Sequence, residues 1–269
     1  MAVELPVSDV LVNGKPNLAA IVSIAQRVRV HIGNSPNQPL DLDRLSSQWE
    51  CAVVPSFGLS PNLPSFSLGL LVPLSDSASR FRVVYNPDLP WRTRRFTIAH
   101  ELVHTLFYSR VGVPTRVLRS GSSEEEIFCD RLAEELLLPS STTKSLSCLA
   151  DVRNLADEYE VSYDLAAKRY FWSVHRLWDL LASLYWDRGR HAGRRAGTFR
   201  IQWHLTQQLS GVRNGMSVYS PQLHRALGSA SQVVSSEPLK INGRSLGGSH
   251  SALGLNDGSI LIGLSQGSY

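Results

Sequence analysis

The stretch FTIAHELVHTLFY, residues 96–108, decides how the rest of the chain is read. It carries His100, Glu101 and His104 in the spacing H-E-x-x-H. Residues four apart on a helix lie on one face, so both imidazoles can reach a single metal ion while Glu101, one step round, meets the water bound to it. That is the wiring of a zinc hydrolase. Phe96, Ile98, Ala99, Leu102, Val103, Leu106 and Phe107 leave only the His/Glu edge and the helix ends polar. A helix so apolar all round is a buried one. Its bland reading is a core helix with two hydrogen-bonded histidines, but two imidazoles and a carboxylate are costly to bury without partners, and a metal supplies one.

Two histidines do not complete a zinc site, which needs a third protein ligand and an open position. The next helical segment, SEEEIFCDRLAEELLLP, residues 123–139, offers acidic candidates. Glu126 and Asp130 stand at i and i+4 and share a face. The first carboxylate can bind metal while the second accepts the other ring N–H of a ligating histidine and fixes its tautomer. Glu125 is the alternative ligand, one register away. Glu124 and Glu125 also have a simpler reading as solvated, dipole-favoured residues of the first helical turn, and Asp130 as a partner of Arg131.

The chain has 269 residues, 43% hydrophobic and 19% charged, enough for a sizeable core in one large or two smaller domains. No run approaches the ~18 apolar residues of a membrane span, and the N-terminus lacks a signal peptide's basic start and long apolar core, so a cytoplasmic protein is expected. Cys51, Cys129 and Cys148 form an odd set without a close pair. That argues against a disulfide framework and against a cysteine-rich zinc site. The overall charge of +4 is unevenly spread: residues 1–186 carry a net −2 and residues 187–269 a net +6.

Apolar periodicity predicts a helix over 17–32 and a short one over 41–49. Short apolar runs between Pro, Gly, Asn and Ser predict strands at roughly 51–57, 67–74 and 81–86. Arg92, Arg94 and Arg95 crowd the start of the H-E-x-x-H helix, where the dipole disfavours cations, and read as a solvated helix start or as holders of a carboxylate or a substrate. Residues 151–169 read as two helices broken near 160–162, similar to a helix-turn-helix but without a sharp basic face, and residues 170–186 as a further aromatic helix with Phe171, Val174, Trp178, Leu181 and Tyr185 on one stripe. DRGRHAGRRAG, 187–197, is a basic, Gly-punctuated linker. Beyond it, 198–269 alternates short strand-like runs with Gly, Ser and Asn turns, a small β-rich module of undetermined role.

NPDLPWRTRRFTIAHELVHTLFY followed by EEEIFCDRLAEELLLP resembles the ImmA/IrrE metallopeptidases, and DVRNLADEYEVSYDLAAKR resembles the helical segment that follows in that family. The likeness covers about 80–180, with no equivalent found for 190–269. Cys129 and Leu132 stand where the family usually has Ala and Phe, both packing positions. The resemblance implies an α+β fold: a helical metallopeptidase core with a small N-terminal sheet packed on the active-site helix, here followed by the β-rich module. It implies one zinc ion held by His100, His104 and Glu126, a gluzincin-like set, with Glu101 as general base; Asp130 behind a ligand rests on the helical spacing alone. It further implies a protein substrate, a cytoplasmic helix-turn-helix repressor whose cleavage derepresses genes of a mobile element or a stress response.

The oxyanion donor is left open among Tyr108, Arg94, Arg95, His204, His224 and His250. A second class of function is a nucleic-acid-binding regulator with a structural zinc, suggested by Arg188, Arg190, Arg194, Arg195 and Arg200. A third makes the tail module a signal- or partner-binding element that gates the peptidase.

Overall fold

A computed structural model describes residues 11–12, 15–56, 68–75, 78–109, 123–143, 148–173, 180–187, 198–206, 211–220, 222–227 and 232–265. Leu11–Val12 (β1) and Lys15–Pro16 (β2) form a short antiparallel pair. Helix α1, Leu18–His31, follows at once because Asn17 caps it, accepting the Ala20 N–H at 3.3 Å. Its apolar face buries Ile21, Ile24, Ala25 and Val28. Arg29, on the same helix, is also buried, and its guanidinium donates to the carbonyls of Ser35, Gln38 and Leu136. One buried cation thus satisfies three backbone acceptors that would otherwise be stranded. Asp41 accepts the Arg44 N–H at 2.9 Å and so starts helix α2, Leu42–Gln48.

Three strands then form a small sheet: β3 (Cys51–Pro55), β4 (Gly69–Pro73) and β5 (Phe81–Tyr85). Their order is β3-β5-β4, with β3 parallel and β4 antiparallel to the central β5. All three lie where the apolar runs placed them. Helix α3, Trp91–His104, carries the H-E-x-x-H motif and packs on β4 and β5. On it also packs α4, Ser123–Leu137, which in turn contacts α1. Phe107, in the short 3-10 turn after α3, meets Phe128 of α4 edge to face at 5.7 Å. The expected sheet-on-helix arrangement is therefore present.

Helices α5 (Leu149–Glu158) and α6 (Tyr163–Ser173) form the expected broken pair, with Glu160 at φ 57° in the break. The chain divides into two compact units, Met1–Thr142 with Glu158–Ser162, and Thr143–Asp157 with Tyr163–Tyr269.

The second unit is built on an eight-stranded antiparallel sheet. Its strands are β6 (Leu180–Asp187), β7 (Thr198–Thr206), β8 (Ser217–Tyr219), β9 (Val233–Ser235), β10 (Leu239–Ile241), β11 (Arg244–Leu246), β12 (Ser249–Gly254) and β13 (Ile260–Ser265), in the order β11-β10-β8-β7-β6-β13-β12-β9. A short helix α7, Gln222–Leu227, precedes β9 and adds Leu223 and Ala226 to a core that includes Leu184, Phe199, Val218 and Ile262. The β-rich module is thus real, and the fold is α+β.

Two expectations change. The segment 170–186 is not one helix: α6 ends at Ser173, and Leu181 and Tyr185 lie in β6, whereas Val174, His175 and Trp178 lie outside the described residues. Short apolar runs do not distinguish helix from strand, and pairing with β7 on one side and β13 on the other fixes β6 as a central strand. The expected linker 187–197 is described only at Asp187, and it joins two strands that pair with each other. The division between units falls earlier in the chain than that linker.

Candidate metal centre

Position along α3 brings His100 and His104 onto one face, and their rings meet at 4.8 Å between centroids. The two Nε2 atoms are 3.0 Å apart. Glu126, on the first turn of α4, reaches the same point: Oε2 lies 3.3 Å from His100 Nε2 and Oε1 3.7 Å from His104 Nε2. The far side of each ring faces another carboxylate. His104 Nδ1 is 2.7 Å from Glu125 Oε1, and His100 Nδ1 is 2.9 Å from Asp130 Oδ1.

The carboxylate contact at 2.7 Å favours the His104 tautomer with the proton on Nδ1, and Asp130 stands in the corresponding place behind His100. In that tautomer the Nε2 lone pairs face the other ring and Glu126. Two lone pairs and a carboxylate converging within 4 Å repel unless a cation lies among them. The same field acts on His100 itself. Burial opposes its charged form, but the contact with Asp130 and the nearby Glu101 and Glu126 outweigh it and hold the pKa above the usual imidazole value. Two nitrogens and one carboxylate, each imidazole backed by an acceptor at Nδ1, fit zinc.

Among the described residues, a second group of donors also lies close enough to share an ion: His104, Glu125 and Cys129. It suits a resident metal less well. All three are buried, and burial followed by the neighbouring carboxylates pushes the Cys129 thiol far above its ordinary pKa, which keeps it protonated. Glu126, by contrast, has a half-exposed side chain, leaving an approach for solvent and substrate.

Glu101 sits beside the two histidines on the side of β4. Burial raises its pKa, opposed by His104 and His100, while the Leu71 backbone N–H of β4 donates to its carboxylate. Gly69 makes that approach feasible. A Cβ on Gly69 would lie 2.6 Å from Thr97 Cγ2 and 3.0 Å from Glu101 Cγ, so only glycine lets the edge strand lie this close to the helix.

Glu125 is the residue the sequence reading placed least well. Read as a solvated first-turn residue or as a substitute ligand, it is fully buried and orients His104. The signal was available: Phe128, Cys129, Leu132 and Leu136 continue its face at helical spacing, and all are buried. Asp130 Oδ1 lies 2.9 Å from His100 Nδ1, and Arg131 pairs with Glu134 at 3.0 Å.

The arginines at the start of α3 divide in role. Arg95 donates to the Leu40 carbonyl at 2.8 Å and pairs with Glu160 at 3.2 Å, a structural tie. The guanidinium groups of Arg92 and Arg94 lie over the rings of Trp91 and Tyr85. Tyr108 packs edge-on against Phe81 at 5.3 Å. His204 bonds Asn214, His250 bonds Ser220, and His224 packs on Trp186 and Phe199, each within the second unit. Of the tail arginines, Arg200 is engaged by Asp187, and Arg188, Arg190, Arg194 and Arg195 lie outside the described residues.

A helix-borne H-E-x-x-H motif facing a carboxylate on a neighbouring helix, with a small sheet along its flank, is the arrangement of a metal-dependent peptidase. Residues 66–171 match the family model Peptidase_M78, the IrrE N-terminal-like domain. The resemblance drawn from the motifs is thereby borne out, and the family points to a metallopeptidase. Among solved structures, a Mycobacterium tuberculosis transcriptional regulator is similar at 15% identity and a TM-score of 0.46, over 91% of this chain and 76% of that one. No curated protein matches. Among the described residues, no helix is long and apolar enough to cross a membrane.

Proposed function

We propose that the chain is a zinc-dependent endopeptidase that cleaves a cytoplasmic regulatory protein, a helix-turn-helix repressor, and so releases the genes it silences. The observation that carries the peptidase reading is the convergence of His100 Nε2, His104 Nε2 and the Glu126 carboxylate, with Asp130 and Glu125 beside the two Nδ1 atoms. His100, His104 and Glu126 are the ligands in this reading. The choice of substrate rests on the ImmA/IrrE resemblance.

Zinc bound there supplies an acidified water and polarises a peptide carbonyl. Glu101 accepts the proton of the attacking water on its carboxylate, then delivers it to the nitrogen of the departing amine. Burial raises its pKa toward that of a usable acid and base, and the Leu71 N–H fixes its direction. Asp130 and Glu125 hold the two imidazoles in the tautomer that presents Nε2.

Glu101→Gln is expected to retain one zinc per chain and to lose cleavage by about 10²-fold or more. Metal content by elemental analysis and cleavage of co-expressed helix-turn-helix repressors test the two halves. Undiminished cleavage by the metal-loaded variant removes Glu101 as base. Absence of zinc from wild type purified without chelator removes the enzyme reading.

A further inference from the structure

His104 offers its two ring nitrogens to two different groups of donors. Nε2 belongs to the centre described above, whereas Nδ1 faces Glu125, and Cys129 follows Glu125 one turn later on α4. The ligand atoms of His104, Glu125 and Cys129 lie within 4.8 Å of one another, and all three residues are buried. Tetrahedral bonds of about 2.0–2.3 Å set such donors roughly 3.5 Å apart, so small side-chain rotations close the group on an ion.

Charge decides which state of this group burial favours. Without an ion, burial and the neighbouring carboxylates keep the Cys129 thiol protonated. A bound cation reverses that balance, because a coordinating thiol gives up its proton outright. A dication, one thiolate and one carboxylate then sum to zero, and a neutral cluster escapes most of the cost of burying a charge. The sulfur selects the ion. Thiolate favours soft cations, whereas calcium and magnesium take oxygen donors.

We propose that His104 Nδ1, Glu125 and Cys129 Sγ form a second, inhibitory site for a soft, thiophilic dication of the cadmium class, which competes with the zinc centre for His104. On binding, a metal–sulfur bond replaces S–H, and the Sγ proton passes to buffer. The proton displaced from Nδ1 moves to Nε2, where it occupies the lone pair that zinc needs. One imidazole therefore serves one site at a time. The competition rests on His104 being a zinc ligand; the second group of donors does not.

The test adds cadmium to the zinc-loaded full chain and is followed to equilibrium, since a buried site fills slowly. Two quantities are read: the ultraviolet cadmium–thiolate charge-transfer band, and the zinc retained after desalting, by elemental analysis. The band should saturate at one cadmium per chain, with zinc leaving in step. Cys129→Ala should remove the band and protect the zinc several-fold, whereas Cys51→Ala and Cys148→Ala should behave as wild type. Circular dichroism of Cys129→Ala separates a lost site from a lost fold. Glu125→Gln, which keeps every thiol, should weaken cadmium several-fold. The proposal is overturned by no band in wild type, by a band that persists in Cys129→Ala, by unchanged cadmium affinity in Glu125→Gln, or by zinc that stays bound while the band saturates. Wild type that carries no zinc removes the peptidase reading, and a band dependent on Cys129 still establishes the second site.

Discussion

Glu125 and Glu126 are neighbours in sequence with opposite environments. One is sealed against His104 and the other is half-exposed over the shared Nε2 position. A rotation of about 100° between consecutive helical residues separates orienting a ligand from being one. Glu125→Gln keeps the volume but replaces an obligate acceptor by a group that can also donate, so His104 loses the charge that fixes its proton at Nδ1. Zinc affinity measured by chelator competition should fall about 10–100-fold while the helical signal is retained. Unchanged affinity would reduce the contact with Glu125 to packing.

At the scale of elements, the site depends on how closely β4 approaches α3. β4 is an edge strand, and its Leu71 N–H is used by Glu101 rather than left to solvent. Gly69→Ala would put a methyl group 2.6 Å from Thr97 Cγ2, so strand or helix must shift. A loss of about 1–3 kcal/mol in denaturant unfolding is expected, with a fall in cleavage activity beyond what the unfolded fraction accounts for. Thr97→Ser removes the struck methyl and should recover part of the stability. If Gly69→Ala unfolds like wild type, the strand has room that the structure denies it.

Across the whole molecule, the two units place their buried histidines under different constraints. In the second unit His250 is fully buried and Nε2 is 2.9 Å from Ser220 Oγ, beside the start of α7. Burial lowers its pKa, with the backbone and charge of Glu237 opposing. The folded value then lies below the unfolded one, so the unfolded chain takes up the proton first. His250 therefore leaves stability intact above about pH 6.5 and removes it as pH falls toward the folded value. Melting followed between pH 7.5 and 5 should show a decline that is smaller in His250→Gln, measured against each protein's own value at pH 7.5. An equal decline in both assigns the acid sensitivity elsewhere.

What the sequence determined by itself was local. The spacing of His100, Glu101 and His104 needs only helical geometry to become a chemical arrangement, and the placement of β3, β4 and β5 needs only alternation and turn residues. The pair Glu126 and Asp130 was legible for the same reason. Tertiary structure decided whatever depends on a partner distant in the chain. Burial of Glu125 is set by α3 packing on α4, and the close approach of Gly69 to Glu101 by a sheet lying on a helix. Leu180–Asp187 became a strand because β7 and β13 pair with it from later in the chain. An apolar run carries the energy of burial without its direction, and neighbours on either side supplied the direction.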